Sequence, residues 1–210
     1  MAFVLPKVYP LTDVRLTGLS HAEQVRRLAA GGALLVQLRE KTSRGREFYE
    51  SAKAAVVAAH DRGIRLIIND RADIAAAVKA DGVHLGQDDL PVLAARELLG
   101  PQAIIGLSTH NLSQAEEAME LPISYLAFGP IFSTPTKDNP APEVGLEGLN
   151  IARKKVGDFP MVAIGGITDK NAMEVIEAGA NSVAIISALL SNSEEISRKT
   201  SALFRLLSRV

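Results

Sequence analysis

The chain alternates between two kinds of segment, and this constrains its fold more than any other feature. Short apolar runs rich in Val, Ile and Leu fall at Val8–Thr12, Ala33–Arg39, Arg65–Asn69, Gly82–Gly86, Ala103–Leu107, Ser124–Gly129, Met161–Gly165 and Ser182–Ser187. Between them lie stretches with helical period: Ser20–Ala30, Gly45–Arg62, Arg71–Lys79, Pro91–Leu99, Asn111–Glu120, Leu146–Val156, Asp169–Ala178 and Ser193–Ser208. Runs that are apolar on both faces belong to parallel strands covered on both sides. The junctions also repeat. Gly32-Ala33, Ala80-Asp81, Ile123-Ser124 and Ala180-Asn181 each close a helix and open a strand. Eight such units in 210 residues predict one compact (β/α)8 barrel spanning residues 1–210. An open doubly wound sheet would leave one or two of these runs outside the sheet. Ser20, three residues before Glu23, and Asp89, just before Leu90-Pro91, supply helix-start chemistry. The segment Gly129–Gly148 breaks the rhythm with four prolines and three glycines. Long irregular loops of this kind are functional or disordered, and no domain boundary is expected here because strand–helix units continue on both sides.

Composition narrows the function classes. The 23 Lys and Arg nearly cancel the 24 Asp and Glu, and there is no Trp beside three Tyr and six Phe. Neither a basic stripe nor a stacking platform for nucleic acid is expected. A small phosphorylated substrate needs only a local cluster of cations. There is no cysteine, which excludes disulfides, thiolate metal sites and cysteine nucleophiles. The start, MAFVLPKV, is broken by Pro6 and does not read as a signal peptide. No apolar run approaches the roughly 18 residues of a membrane span. The expected location is cytoplasmic.

In a (β/α)8 barrel the site forms at the C-terminal ends of the strands. The second strand ends in Gln37-Leu-Arg39-Glu-Lys41; strand alternation puts Gln37, Arg39 and Lys41 on one face, a set suited to phosphate or pyrophosphate. The third and fourth strands end in Asn69-Asp70 and Gly86-Gln87-Asp88-Asp89. Asp70 and Asp89 suit Mg²⁺, which takes one or two carboxylates plus substrate phosphates, and both equally suit helix N-caps. Asp73 and Asp88 read as surface or first-turn residues. The fifth strand ends in Ser108-Thr109-His110-Asn111, where Ser108 suits a polar substrate edge. His110 is either an acid–base group or a bystander to a cap at Thr109 or Asn111. His84, inside a strand, reads as structural, and His21 and His60, on helices, as exposed. The sixth loop holds Ser133, Thr134, Thr136 and Lys137, which suit an anion clamp on a closing lid. After the seventh strand comes Gly165-Gly166, and after the eighth Ile186-Ser187, where barrel phosphate sites commonly form.

Taken in order, Gln37-Leu-Arg39-Glu-Lys41, Asn69-Asp70, Gly86-Gln87-Asp-Asp89, Ser108, Thr134-Pro-Thr136-Lys137, Ala163-Ile-Gly165-Gly166-Ile167 and Ile186-Ser187 resemble the thiamine-phosphate synthase family. The likeness runs from about Tyr9 to Ser187. It implies an enzyme that joins a hydroxymethylpyrimidine pyrophosphate to a thiazole phosphate and releases pyrophosphate. It further implies that Gln37, Arg39, Lys41, Asn69, Ser108 and Lys137 hold the pyrimidine substrate, with Arg39, Lys41, Ser108 and Lys137 catalytic. Asp70 and Asp89 would bind Mg²⁺, and Thr134, Thr136, Gly166, Ile186 and Ser187 the thiazole phosphate. The implied reaction is a dissociative displacement that needs no general base. A metal-independent thiazole tautomerase is the second reading and keeps His110 in view. A non-catalytic phosphate-sensing barrel is the third.

Overall fold

A computed structural model describes residues 3–134 and 141–208. Its eight strands are β1 (Val8–Thr12), β2 (Leu35–Leu38), β3 (Arg65–Asn69), β4 (Gly82–Leu85), β5 (Ile104–Thr109), β6 (Tyr125–Phe128), β7 (Met161–Ile164) and β8 (Ser182–Ile185). All pairings are parallel and follow chain order, and β8 returns to β1 through Val8↔Val183 and Tyr9↔Ala184, so the barrel closes. The helices are α1 (Val14–Thr17), α2 (His21–Ala30), α3 (Gly45–His60), α4 (Ala72–Val78), α5 (Val92–Leu99), α6 (Leu112–Met119), α7 (Gly145–Val156), α8 (Ala172–Glu177), α9 (Ser187–Leu190) and α10 (Ile196–Leu207). The predicted (β/α)8 barrel is therefore the observed fold. None of these helices is long and apolar enough to cross a membrane.

Strand alternation divides the core in two. Val36, Leu38, Leu66, Ile68, Val83, Leu85, Ile105 and Leu126 face outward and pack against the helices. Tyr9, Leu11, Leu35, Ile67, Ile104, Tyr125, Ala127, Val162 and Ala184 fill the barrel interior. Successive side chains on a strand point to opposite faces. The parity that sends Leu35, Ile67 and Ile104 inward therefore also sends Gln37, Asn69 and Ser108 inward, nearer the open end of the barrel.

The structure differs from the sequence expectations at several boundaries. Strand β2 stops at Leu38 and β8 at Ile185, so Arg39, Ile186 and Ser187 lie past the strand ends. Helices α1 and α9 have only four residues each, too few to show a period. The expected exposure of His21 is wrong, because the residue is fully buried. The end of β1 and the β2–α3 loop supply its partners: its ring meets Thr12 Oγ1 at 2.7 Å and Glu40 Oε2 at 3.3 Å.

Candidate active site

A cavity of about 840 Å³ opens at the C-terminal ends of the strands. Gln37, Arg39, Lys41, Asn69, Asp70, Asp89, Ser108, Thr134, Gly166, Ile186 and Ser187 all line it. The topology brings them together because each follows or ends a strand of one closed barrel. His110 lines the same cavity, and its Nδ1 meets the Gly129 carbonyl at 2.6 Å. Thr136 and Lys137 lie outside the described residues.

Arg39 is held rather than free to swing. Its Nη1 donates to Asp13 Oδ2 at 2.6 Å, and the two side chains are 11% and 3% exposed. Arg15 donates to both oxygens of the same carboxylate from its backbone N, Nε and Nη2. Burial works against ionisation of Asp13, but the Arg15 side chain and backbone N–H, with the Arg39 charge, outweigh it and hold the carboxyl below its ordinary range. Asp13 is a site residue that the sequence reading missed. Its signal was its position, directly after the first strand, where the reading of strand ends did not begin.

Glu40 organises the loop that carries Lys41. Its Oε1 accepts from the backbone N–H groups of Thr42 and Ser43 and from Thr42 Oγ1, while its Oε2 accepts from Ser43 Oγ. Burial pushes this carboxyl up, but those donors prevail and hold it at about 2. Lys41 Nζ then reaches Asp70 Oδ2 at 2.5 Å.

Neither aspartate works as a helix cap. The α4 cap position is Arg71 and the α5 cap position is Pro91. Asp70 has φ 65°, a left-handed conformation that non-glycine residues adopt rarely. Asp89 Oδ2 accepts from the Gly86 backbone N–H at 2.6 Å. Burial, together with the neighbouring Asp70 charge, raises the Asp89 carboxyl above its ordinary range, although the Gly86 N–H pulls the other way. Two facing carboxylates beside a lysine make an oxygen-donor set that fits Mg²⁺ with ligands left for phosphate. Among the described residues no group of three or more His, Cys, Asp or Glu forms a fuller protein cage.

Opposite these charges the wall is backbone. Gly165 and Gly166 have φ 104° and 63°, and a Cβ on either would lie 2.5 Å from Pro130 Cβ or Ser133 O. Only glycine fits there, because the chain after β6 packs directly on the chain after β7. The short helix α9 starts at Ser187, beside this wall.

Beneath the cavity the barrel interior is polar along one line. Gln37 Nε2 donates to Tyr9 Oη at 3.2 Å, and Tyr9 Oη meets Tyr125 Oη at 2.9 Å. Tyr125 Oη meets His84 Nδ1 at 3.0 Å, and His84 Nε2 meets Ser108 Oγ at 2.9 Å. Burial pushes the His84 imidazole down to about 4 against the pull of Asp70, so the ring is neutral near pH 7. Gln87 Nε2 donates to the Ser108 carbonyl at 2.6 Å and braces the strand end.

A closed (β/α)8 barrel whose strand ends gather cations, paired carboxylates and a glycine wall on one cavity defines a barrel of the phosphate-handling enzyme class. The comparisons narrow that class. The family model described as thiamine monophosphate synthase matches residues 8–189, and the chain belongs to this family. A thiamine-phosphate synthase of Syntrophomonas wolfei subsp. wolfei is 47% identical over 188 residues, covering 89% of this chain and 90% of the relative. That of Chloroflexus aurantiacus is 45% identical over 185 residues, covering 88% and 85%. The solved thiamine phosphate pyrophosphorylase from Pyrococcus furiosus superposes with a TM-score of 0.87 at 37% identity, covering 97% of this chain and 96% of that one.

Proposed function

We infer that this chain is a thiamine-phosphate synthase, a transferase that joins a hydroxymethylpyrimidine pyrophosphate to a thiazole phosphate. The observation that carries the reading is the convergence of three chemistries on one cavity. Gln37, Asn69 and Ser108 offer hydrogen bonds to a polar ring. Arg39 and Lys41 stand at the rim for a pyrophosphate. Thr134, Gly166, Ile186 and Ser187 line the far wall, where a second phosphate is to sit. Thr136 joins the second set and Lys137 the first on the resemblance alone. A cytoplasmic location goes with the reading.

The chemistry follows from those placements. The bond between the exocyclic CH₂ of the pyrimidine and the pyrophosphate oxygen breaks, and its electron pair leaves with pyrophosphate. Arg39, fixed by Asp13, and Lys41 neutralise the charge that develops on the leaving oxygens, where oriented cations act most strongly. The amino-substituted ring spreads the positive charge left on CH₂. The thiazole nitrogen then donates its lone pair to that carbon and forms the new C–N bond, with no proton to remove. Asp70 and Asp89 would hold Mg²⁺, which when bound supplies further neutralisation of the pyrophosphate. The walls of the cavity must exclude water, which would otherwise capture the cation.

The test is a coupling assay with both substrates, in Mg²⁺ or in EDTA, followed by detection of thiamine phosphate. Product that depends on Mg²⁺ is expected. Folded protein that gives none would overturn the reading. Thiazole tautomerisation, compared between the native chain and His110→Ala, is then the next assay, because His110 lines the cavity.

A further inference from the structure

The buried line of groups beneath the cavity has a direction. Each hydroxyl has one proton, and a neutral imidazole has one donor and one acceptor. Tyr9 receives the Gln37 amide proton, so its own proton goes to Tyr125. Tyr125 in turn donates to His84 Nδ1, which places the imidazole proton on Nε2, where it is donated to Ser108 Oγ. The Ser108 hydroxyl proton is then left for the cavity, and of the Gln37 amide only the nitrogen is used by Tyr9. One other arrangement satisfies every group. With the Gln37 amide turned over, each bond reverses and Ser108 donates back to His84. Mixed arrangements strand a buried proton without an acceptor, which is costly.

We propose that the chain Gln37–Tyr9–Tyr125–His84–Ser108 couples the two polar ends of the cavity, so that a bound ring is read as a single donor–acceptor pattern. The proposal rests on the functional reading above and extends it to specificity. In the first arrangement the cavity offers a Ser108 proton and a Gln37 carbonyl oxygen. These fit an aminopyrimidine, whose ring nitrogen accepts and whose amino group donates. A 4-oxopyrimidine presents the opposite pattern and binds only if all five groups switch together. Tyr9, Tyr125 and His84 are thus positioning residues for this discrimination. The packing supports the assignment. Gly106 has no side chain because a Cβ there would lie 2.2 Å from Tyr125 Cζ and 2.5 Å from His84 Nδ1. Tyr9 and Tyr125 meet edge to face at 5.7 Å, and Tyr125 and His84 lie near-parallel at 5.6 Å.

Two measurements test this on the full chain. The first needs no substrate: nitrogen NMR of ¹⁵N-histidine-labelled protein at pH 7, with the His84 signals assigned by their loss in His84→Gln. The Nε2–H tautomer is expected, and the Nδ1–H tautomer overturns the proposal whatever the binding data show. The second is calorimetric binding of the 4-aminopyrimidine pyrophosphate and its 4-oxo counterpart. The native chain is expected to favour the amino ring by at least about 100-fold. Tyr125→Phe should narrow that ratio at least about tenfold, because a severed chain lets Ser108 turn independently of Gln37. Tyr9→Phe provides the same cut if Tyr125→Phe does not fold. Equal binding of both rings by the native chain overturns the proposal, as does an unchanged ratio in a folded variant. Binding of neither ring, with His84 in the Nε2–H form, sinks the functional reading while upholding the direction of the chain.

Discussion

At the scale of single residues, Arg39, the cation proposed to neutralise the leaving pyrophosphate, depends on a partner outside the cavity lining. That partner is Asp13. It is nearly buried, it anchors Arg39 at 2.6 Å, and it is shared with Arg15. Asp13→Asn keeps the shape and removes the charge, so Arg39 loses its fixed position. A shift of about 1 Å in a positioned group costs on the order of 10²-fold in rate. Coupling turnover in Asp13→Asn should therefore fall about that far, as it should in Arg39→Ala, which removes the positioned cation itself. Turnover equal to that of the native chain would remove Asp13 from the site. This residue also shows where the sequence stops being legible. Gln37, Asn69 and Ser108 were readable because strand parity and strand ends place them in the cavity. The holding contacts of Arg39 were not, because Asp13 and Arg39 lie 26 positions apart and meet only when β1 and β2 pair. His21 failed for a related reason. A polar residue opening a helix reads as surface, and only the fold reveals that Thr12 and Glu40 satisfy it.

At the scale of elements, the barrel packs by omission as much as by filling. Strand β5 carries Gly106 where β4 and β6 contribute His84 and Tyr125, and those two rings occupy the space a side chain would need. Gly106→Ala forces backbone or ring displacement, and overpacking of this kind costs typically about 1–3 kcal/mol. Urea unfolding should show a loss in that range. The Tyr125–His84 contact should also lengthen, visible as a changed His84 ring signal by NMR. A fully stable variant with an unchanged ring signal would mean that the interior is looser than described. Most of the elements were legible because apolar runs and helical periods carry their own signal over five or more residues. The four-residue helices α1 and α9 were not, because a single turn has no period to detect. The two-residue glycine step after β7 read as a possible phosphate cradle. The structure adds that its conformation is also demanded by the neighbouring chain after β6.

At the scale of the whole molecule, burying neutral histidine in the barrel ties stability to pH. The unfolded imidazole titrates near about 6.5, whereas burial holds His84 at about 4 in the fold. Burial also lowers His21, although Glu40 pulls the other way. As pH falls below 6.5 the unfolded chain binds protons that the folded chain refuses, so acidification favours unfolding. For His84 the contribution is complete above pH 6.5 and is lost progressively down to pH 4, with a full size of about 3 kcal/mol. Glu40 extends the loss further. Its folded carboxyl titrates at about 2, so its contribution is present above about pH 4.5 and disappears between there and pH 2. Asp89, raised by burial and by Asp70, acts in the opposite sense and offsets part of this loss near its own titration. The expected outcome is a urea midpoint that falls steeply between pH 7 and pH 4.5. In His84→Gln, an amide that keeps a donor for Ser108 and an acceptor for Tyr125, the fall should shrink by about 2–3 kcal/mol of unfolding free energy. The same pH dependence in both proteins would mean that His84 takes up its proton within the fold, and the barrel interior would then have to supply a counter-charge that none of the ring's hydrogen-bonding partners carries.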